Sequence, residues 1–558
     1  MAHDNSKLAA LGDLGQSIWL DFIDRDLLQS GRLDALVRQG VAGMTTNPTI
    51  FDKAIGHGTA YDRQFFELVD SGLSAAAIVD ALIVADVQAA CDLLRGVYEH
   101  TEHGDGFVSI EVPPALAYNA RKTIDEARRL HGAVDRPNLM VKIPGTPAGL
   151  AAVRHAVAAG LNINITLLFA LGTYEQVVDA YLGGLEDRVL QGRAIDELRS
   201  VASFFVSRVD ASADRAIDEL LAGAPDKTTR AGLQGLKGTL GVANARLAYR
   251  RFSEISSSER WHRLAERGAN PQRLLWASTS TKNPDYDDLL YVDNLIGPNT
   301  VNTMPPGTLD AFRDHGKVRD SLEENVEQAR TDLNELEKSG ISLDTITADL
   351  VKDGVKQFAD AADKLYGAVA HKRAVVLGTE VGRQTVASGA ELGKKVEKTT
   401  EEWRSAAKIR RLWQRDSSVW TGTDEDKWLG WLTSAASADI ADYEDFAARV
   451  KGEKFSDAVV LGMGGSSLGP EVLAETFPRK SGFPRLHVLD STDPAQVRAM
   501  EKAIDISKTL FIVSSKSGGT TEPNAMKDYF FAPVSEAIGE AKAGHRLVAV
   551  TDPGPSLE

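Results

Sequence analysis

The chain has 558 residues, more than the about 100 to 200 residues of a typical domain, so two or three globular units are expected. Apolar residues make up 43% and charged residues 25%, which excludes global disorder. The net charge of −16 argues against general nucleic-acid binding, because an acidic chain repels a phosphate backbone. Cys91 is the only cysteine, which excludes an intrachain disulfide and predicts a reducing, cytoplasmic location. No stretch is apolar enough to predict a membrane segment.

Short apolar runs alternate with longer helical patterns through about the first 300 residues. The predicted strands are 17–23, 41–46, 107–112, 139–143, 161–166, 201–206, 273–278 and 300–303. The segments between them predict helices, such as 78–98, 117–131, 174–190 and 212–223. Alternation of this length favours a (β/α)8 barrel, with a doubly wound open sheet as the alternative.

A second α/β pattern follows the first one. A predicted amphipathic helix, 349–366, leads into a charged stretch, 380–415, which predicts a solvated connector helix. Further strands are predicted at 458–462, 485–490, 509–514 and 545–550. The expected domains are therefore a barrel at 1–370, a connector at 371–420 and a partial doubly wound sheet at 421–558.

Polar side chains lie at the ends of several predicted barrel strands, where side chains of different strands converge on one mouth. Lys142 is the most informative, because it lies in the apolar run Leu-Met-Val-Lys-Ile-Pro. Burial disfavours a charged ammonium, and a neutral amine can attack a ketone to form a Schiff base. Two interpretations stay open at this point: a nucleophile helped by Glu111 and Asp21, or a lysine that pairs with these acids for structure alone.

The ordered set of strand-end motifs resembles the transaldolase family over about residues 8 to 370. The motifs are Trp-Leu-Asp21-Phe, Thr45-Thr46-Asn47-Pro48-Thr49, Ser109-Ile-Glu111-Val, Val141-Lys142-Ile-Pro144, Asn164-Ile-Thr166-Leu-Leu-Phe, Ser203-Phe-Phe205-Val-Ser-Arg208 and Asn302-Thr303-Met304-Pro305-Pro306. The resemblance implies transfer of a dihydroxyacetone unit between sugar phosphates in the pentose phosphate pathway. It implies no metal and no organic cofactor, and it is compatible with a homo-oligomer.

The resemblance also implies a role for each matching residue. Lys142 is the Schiff-base nucleophile, Glu111 with Thr166 manages the catalytic water, and Asp21 handles the proton of the hydroxyl at the cleaved bond. The substrate-binding positions are Asn47, Asn164, Ser203, Phe205, Arg208 and Ser278, of which Arg208 and Ser278 match the phosphate pocket.

Lys282 departs from the family pattern, in which a second arginine often follows the serine equivalent to Ser278. Lys282 is either a substitute phosphate ligand or an exposed loop charge. Phe205 favours a transferase over a fructose-6-phosphate aldolase, whose family members usually have a more polar residue there. A non-catalytic sugar-phosphate-binding protein is the alternative from a different functional class.

Two small-residue loops follow predicted strands of the second half. Gly462-Met-Gly464-Gly465-Ser466 and Ser514-Ser515-Lys516-Ser517-Gly518-Gly519-Thr520-Thr521 can each present backbone N–H groups to an anion at a helix N-terminus. The sequence supports a dinucleotide or P-loop site less well. Ser467 stands where the dinucleotide pattern requires a glycine, and Pro470 stands where the P-loop pattern requires a lysine. With the segment 413–420, the two loops resemble the glucose-6-phosphate isomerase family and its sugar-isomerase fold.

This second resemblance implies phosphate binding by Ser466, Ser515, Lys516, Ser517 and Thr520. The glutamate base and the ring-opening histidine of that family belong to later motifs, which this sequence does not contain. We therefore expect residues 420–558 to lack isomerase activity.

Overall fold

Eight parallel strands form a closed barrel in the first half of the computed structural model. Their bounds are β1 Gln16–Leu20, β2 Val41–Thr45, β3 Val108–Glu111, β4 Leu139–Pro144, β5 Ile163–Leu168, β6 Ser200–Phe205, β7 Gln272–Ala277 and β8 Thr300–Met304. Each strand pairs with the next in chain order, and β8 pairs with β1 to close the ring. The predicted (β/α)8 barrel is confirmed, and the open-sheet alternative for this half is wrong.

The structure describes residues 6–56, 59–223, 226–378, 389–434 and 440–552. They divide into two compact units, Met1–Leu412 and Trp413–Glu558. Part of the expected connector, residues 379–388, lies outside the described residues. The limits of the three expected domains stay a prediction.

Helices precede, connect and follow the barrel strands. Up to β7 they are Lys7–Asp13, Arg25–Gln29, Arg32–Arg38, Pro48–Gly56, Asp62–Asp70, Ala75–His100, Ala120–Val134, Pro147–Ala159, Leu171–Leu190, Ser207–Ala222, Lys227–Leu236, Leu240–Ser256 and Glu259–Ala265. After β7 they are Leu290–Asp293, Pro306–His315, Val326–Lys338, Leu343–Val376, Ala390–Ser405 and Lys408–Trp413. Side-chain caps begin many of them; Thr146, for example, accepts a hydrogen bond from the Gly149 N–H at the start of Pro147–Ala159.

The helix Leu343–Val376 is longer than the sequence pattern predicts, with 34 residues against the predicted segment 349–366. It begins at the N-cap Ser342, whose side chain accepts from the Thr345 N–H. Its buried face includes Leu350, Val355 and Phe358, which join a core cluster at the barrel mouth. Apolar residues outside the predicted segment are also packed: Leu343 and Ile346 contact buried clusters near the start of the helix, and Val369 is buried near its end.

The register of three neighbouring strands aligns the predicted catalytic residues. Glu111 on β3 is the partner of Lys142 on β4, and Lys142 is the partner of Asn164 on β5. Partners in a parallel ladder project to the same face, so these side chains lie side by side inside the barrel. The lysine and the carboxylate are thus neighbours through backbone pairing.

The second unit contains a four-stranded parallel sheet in the order β10-β9-β11-β12. The strands are β9 Asp457–Gly462, β10 Arg485–Leu489, β11 Thr509–Ser514 and β12 Leu547–Val550. The helices are Ile440–Gly452, Gly465–Thr476, Pro494–Ala503, Thr521–Ile538 and Glu540–Ala543. Phe511 and Phe530 stack at 4.9 Å between ring centroids in a core of its own. The predicted strands and the sugar-isomerase type of α/β layout are confirmed.

A search of the described residues for membrane-spanning helices identifies none that combines the required length with the required apolar character.

Candidate functional site

A cavity of about 640 Å³ opens at the carboxyl ends of the barrel strands, and its size suits a small metabolite. Most of the predicted site residues line it: Asp21, Asn47, Lys142, Thr166, Ser203, Phe205, Arg208, Ser278 and Lys282. A larger cavity of about 810 Å³ surrounds the helix Lys7–Asp13 but contains none of these residues. We therefore identify the site from its chemistry and not from its volume.

Lys142 is almost fully enclosed, with 5% of its side chain exposed. Its Nζ lies 3.5 Å from Glu111 Oε2, donates a hydrogen bond of 3.2 Å to the Thr46 carbonyl, and lies 5.9 Å from the Phe358 ring centroid. The geometry permits an amine that both reaches the cavity and exchanges protons with a neighbouring acid.

Glu111 does not line the mouth cavity but lies directly behind Lys142, with 3% of its side chain exposed. Burial raises the pKa of Glu111 to about 7, although Lys142 opposes this rise. Apart from the ion-pair contact with Lys142, neither carboxylate oxygen has a hydrogen-bond partner among the described residues, and the same holds for the buried Thr166 hydroxyl. These groups retain their capacity to bind a water or a substrate hydroxyl.

Asp21 follows β1 directly, and its N–H donates to the Met304 carbonyl at 2.9 Å, which holds it at the cavity wall. Burial raises the pKa of the Asp21 carboxyl, while the charges of Lys142, Lys282 and Arg208 lower it. A carboxylate with a raised pKa accepts a proton more readily, which suits a general base.

Asn164 is fully buried and connects two strands beside Lys142. Its Nδ2 donates to Ser109 Oγ at 3.0 Å, and its Oδ1 accepts from Ser203 Oγ at 2.7 Å. Asn47 accepts a hydrogen bond from the Ile50 N–H at 3.1 Å and so caps the helix Pro48–Gly56. Asn164 itself does not line the cavity, so the structure places it behind Ser203.

The part of the cavity wall that follows β6 and β7 is rich in cations and hydroxyl groups. Arg208 lies at the start of the helix Ser207–Ala222, with its guanidinium 5.3 Å from the Phe205 ring centroid. Ser278 contacts Ser207 through their hydroxyl oxygens at 3.0 Å, which joins the ends of β6 and β7. Lys282 lines the cavity and donates to Ser280 Oγ at 2.7 Å. A guanidinium, an ammonium and a helix N-terminus together suit a phosphate group.

Several lining residues were missed by the sequence analysis. They are Lys53, Arg215, Leu350, Asp353, Gln357 and Phe358, of which the last four belong to the helix Leu343–Val376. The amphipathic pattern predicted this helix, but no local signal says that it crosses the barrel mouth. The cations Lys53 and Arg215 fall on exposed helix faces, where a charge usually has no specific partner.

In the second unit the two predicted phosphate loops lie next to each other, because Gly462 at the end of β9 pairs with Ser514 at the end of β11. Gly464 has φ +56°, a conformation that favours glycine, at the start of the helix Gly465–Thr476. Ser515 Oγ donates to Thr520 Oγ1 at 2.9 Å.

The side chains of these two loops make separate local contacts. The Lys516 ammonium lies 4.4 Å from the Trp428 ring centroid. Gly519 N–H donates to Ser517 Oγ at 3.3 Å, and Ser466 is half-buried beside Ser467, whose hydroxyl donates to the Gly464 carbonyl. The five predicted residues therefore belong to two adjacent loops at one end of the sheet.

Comparison with known proteins identifies the family of the barrel. The sequence model of the transaldolase/fructose-6-phosphate aldolase family matches residues 18–369. The chain belongs to this family. It is accordingly an enzyme of the type that transfers aldehyde or ketone groups, and residues 445–552 match the phosphoglucose isomerase family.

Curated relatives agree with this assignment. The chain is similar to a transaldolase of Trichodesmium erythraeum, with 43% identity over 368 residues that cover 65% of this chain and 97% of the relative. Transaldolase 2 of Nostoc sp. is 45% identical over 65% of this chain and 97% of its own length. Transaldolase 1 of Streptomyces avermitilis is 47% identical over 65% of this chain and 94% of its own length.

Proposed function

We propose that this member of the family is a transaldolase that works through a Schiff base on Lys142. The donors would be ketose phosphates such as sedoheptulose 7-phosphate or fructose 6-phosphate, and the acceptors glyceraldehyde 3-phosphate or erythrose 4-phosphate. This reaction belongs to the pentose phosphate pathway. The observation that carries the proposal is the enclosed amine of Lys142, 3.5 Å from Glu111 in a cavity that also contains Asp21 and Arg208.

The first steps form the covalent intermediate. The Lys142 amine attacks the C2 carbonyl of the ketose, and the resulting carbinolamine loses water to give an iminium. Glu111 supplies a proton to the departing water, and the Thr166 hydroxyl orients it, since both groups are buried beside Lys142 without competing hydrogen bonds. A pKa near 7 allows Glu111 to give and later recover this proton near neutral pH.

The next steps break and remake a carbon–carbon bond. Asp21 takes the proton from the C4 hydroxyl as the C3–C4 bond breaks, which releases an aldose phosphate and leaves a three-carbon enamine on Lys142. The enamine attacks the carbonyl of the acceptor aldose phosphate, Asp21 returns the proton, and water hydrolyses the new iminium. Asn47 and Ser203 would hold the substrate hydroxyls, Asn164 would act through Ser203, and Arg208, Ser278 and Lys282 would hold the phosphate.

Borohydride trapping tests the covalent step. With fructose 6-phosphate, reduction of the iminium is expected to leave a stable adduct on Lys142, detected by peptide mass spectrometry, and to abolish transfer activity. Lys142→Ala should give neither adduct nor turnover. Lys372→Ala removes a lysine that pairs with Asp62 outside the cavity and should leave both unchanged. A wild-type protein without the adduct would instead indicate a non-catalytic sugar-phosphate-binding protein.

The same reaction mixture separates transfer from simple aldol cleavage. The transferase is expected to consume fructose 6-phosphate only when erythrose 4-phosphate is supplied, because the enamine awaits an acceptor. Phe205 supports this outcome, because its ring packs against Phe169, with 5.1 Å between the ring centroids, and keeps that wall of the cavity apolar. Free dihydroxyacetone without an acceptor would support a fructose-6-phosphate aldolase.

A further inference from the structure

The helix Ala390–Ser405 carries an exposed apolar line along one face, made of Leu392, Val396 and Trp403. With Thr399 these residues are spaced four, three and four positions apart, which is the a/d spacing of a coiled coil. Their side chains therefore lie in one row along the helix, and we call these four residues the Leu392 stripe. The three apolar residues are 55%, 54% and 41% exposed, in chain order.

The part of the chain that the structure describes leaves this stripe largely uncovered. From Ala390 to Arg404 every residue is exposed except the half-buried Gly393. The Lys408 ammonium lies 5.5 Å from the Trp403 ring centroid, but Trp403 stays exposed. A helix of 16 residues is only marginally stable in water by itself, and most helices depend on packing of an apolar face. The Leu392 stripe therefore calls for a partner of matching shape.

A second copy of the same helix, running antiparallel, matches the apolar residues of the stripe. Leu392 of one copy faces Trp403 of the other, and Val396 faces Thr399, so each contact occurs twice about a two-fold axis. A groove of about 580 Å³ lies beside Trp403, with Ile409 in its wall. This groove gives the Leu392 side chain of the second copy room to insert.

The charges beside the stripe match the same antiparallel alignment. Lys395 and Glu402 lie seven residues apart on one flank of the stripe, at the g positions of the heptad pattern. Antiparallel pairing places Lys395 of one copy beside Glu402 of the other, again twice. Glu402 also contacts Lys398 at 3.8 Å, but its side chain is 57% exposed and accessible to a second cation. A parallel alignment would place Lys395 beside Thr400 and gain no charge pair.

We propose that the Leu392 stripe is an interface at which two copies of this chain associate through an antiparallel pair of the helices Ala390–Ser405. Two helices of this length bury less surface than a standard protein interface, so the association is weak and reversible. The proposal does not rest on the proposed function.

Disulfide trapping on the full chain tests the alignment. Cys91 is the only native cysteine and is buried, so cross-links through an introduced cysteine are seen against a low background. Positions 396 and 399 of opposite copies face each other in the antiparallel pair. A mixture of Val396→Cys and Thr399→Cys, combined reduced and then oxidised, is therefore expected to give a disulfide-linked dimer of the two variants. Each variant alone should stay largely monomeric on a non-reducing gel.

Charge reversal tests the ion pairs, with sedimentation velocity between about 1 and 100 µM protein as the measurement. Lys395→Glu is expected to weaken association at least about 5-fold, because two attractive pairs become repulsive. Adding Glu402→Lys to the same chain should restore the association. Lys394→Glu is the matched control, since Lys394 lies on the helix face opposite the stripe and its reversal should change nothing.

Two results would overturn the proposal. One is a mixture of the two cysteine variants that gives no more linked dimer than each variant alone, as a parallel pair or a stripe covered by another segment would produce. The other is a Lys395→Glu chain that associates as tightly as the Lys394→Glu chain does.

Discussion

At the scale of single residues, Glu111 contributes to the dependence of folding stability on pH. Its carboxyl has a pKa of about 7 in the folded chain against an ordinary value of 4.5, because it is buried. The folded state therefore binds this proton more tightly than the unfolded state does. The resulting contribution to stability is present at pH values below 4.5 and is lost as the pH rises through about 7.

Glu111→Gln removes this titration while it keeps the shape of the side chain. The free energy of unfolding of the wild type is expected to fall, relative to the Gln variant, between about pH 5 and about pH 8, as urea titrations of both proteins would measure. Asp218→Asn is a suitable control, because Asp218 pairs with Lys237 at the surface, with 59% of its side chain exposed. A wild-type-to-Gln difference that stays constant with pH would contradict the raised pKa.

At the scale of elements, the helix Leu343–Val376 supports the catalytic strand β5 through one glycine. Leu167 follows Thr166 and adopts a left-handed conformation with φ +62°, where the pairing of β5 with β6 is irregular. Gly354 of the helix lies against it, because a Cβ at position 354 would approach Leu167 Cδ2 to 2.7 Å. Leu167 is fully buried, so it cannot move away without disturbing its neighbours. We infer that Gly354 positions Thr166 by holding the strained residue beside it.

Gly354→Ala is expected to lower kcat by about 10- to 100-fold with a smaller change in KM, because it displaces Thr166 and leaves the phosphate-binding residues in place. Gly367→Ala is the matched control on the same helix, since nothing lies within 4 Å of its added Cβ. That substitution should raise stability by up to about 1 kcal/mol and leave kcat unchanged. Equal kinetics for the two variants would disprove the positioning role.

At the scale of the whole molecule, the two units have separate hydrophobic cores among the described residues. The largest cluster extends from Leu8 to Val369, whereas the cluster around Phe511 and Phe530 contains only residues of the second unit. Independent cores unfold as independent cooperative units, so a single transition is not expected for the full chain.

Phe511→Ala is expected to lower the free energy of unfolding of the second unit by about 3 to 5 kcal/mol. The urea concentration at which transaldolase activity is lost should stay as in the wild type. Leu82→Ala, at a fully buried position of the barrel unit, should do the reverse and shift the loss of activity to lower urea. Circular dichroism and activity measured on the same samples give both transitions. If Phe511→Ala lowered the urea concentration at which activity is lost as much as Leu82→Ala does, the two units would unfold together, which would contradict the prediction.

The strands and the polar residues at their ends could be predicted from the sequence, because both appear as patterns of residues that are close together in the chain. Continuous apolar runs marked β2, β4 and β6, and Lys142 was conspicuous as a charge within such a run. β5 was less predictable: it continues to Leu168, beyond the expected end at Thr166, because an irregular pairing that no residue pattern reports lies between Ile165 and Leu168.

By itself, then, the sequence determined the barrel, the second sheet and the residue types available for chemistry, since apolar periodicity and strand-end polarity depend on near neighbours. Only the tertiary structure decided that Glu111 and Lys142 lie 3.5 Å apart and that Gly354 rests on Leu167. These contacts join residues from about 30 to almost 190 positions apart, and strand register and helix packing, which set them, depend on the whole closed barrel.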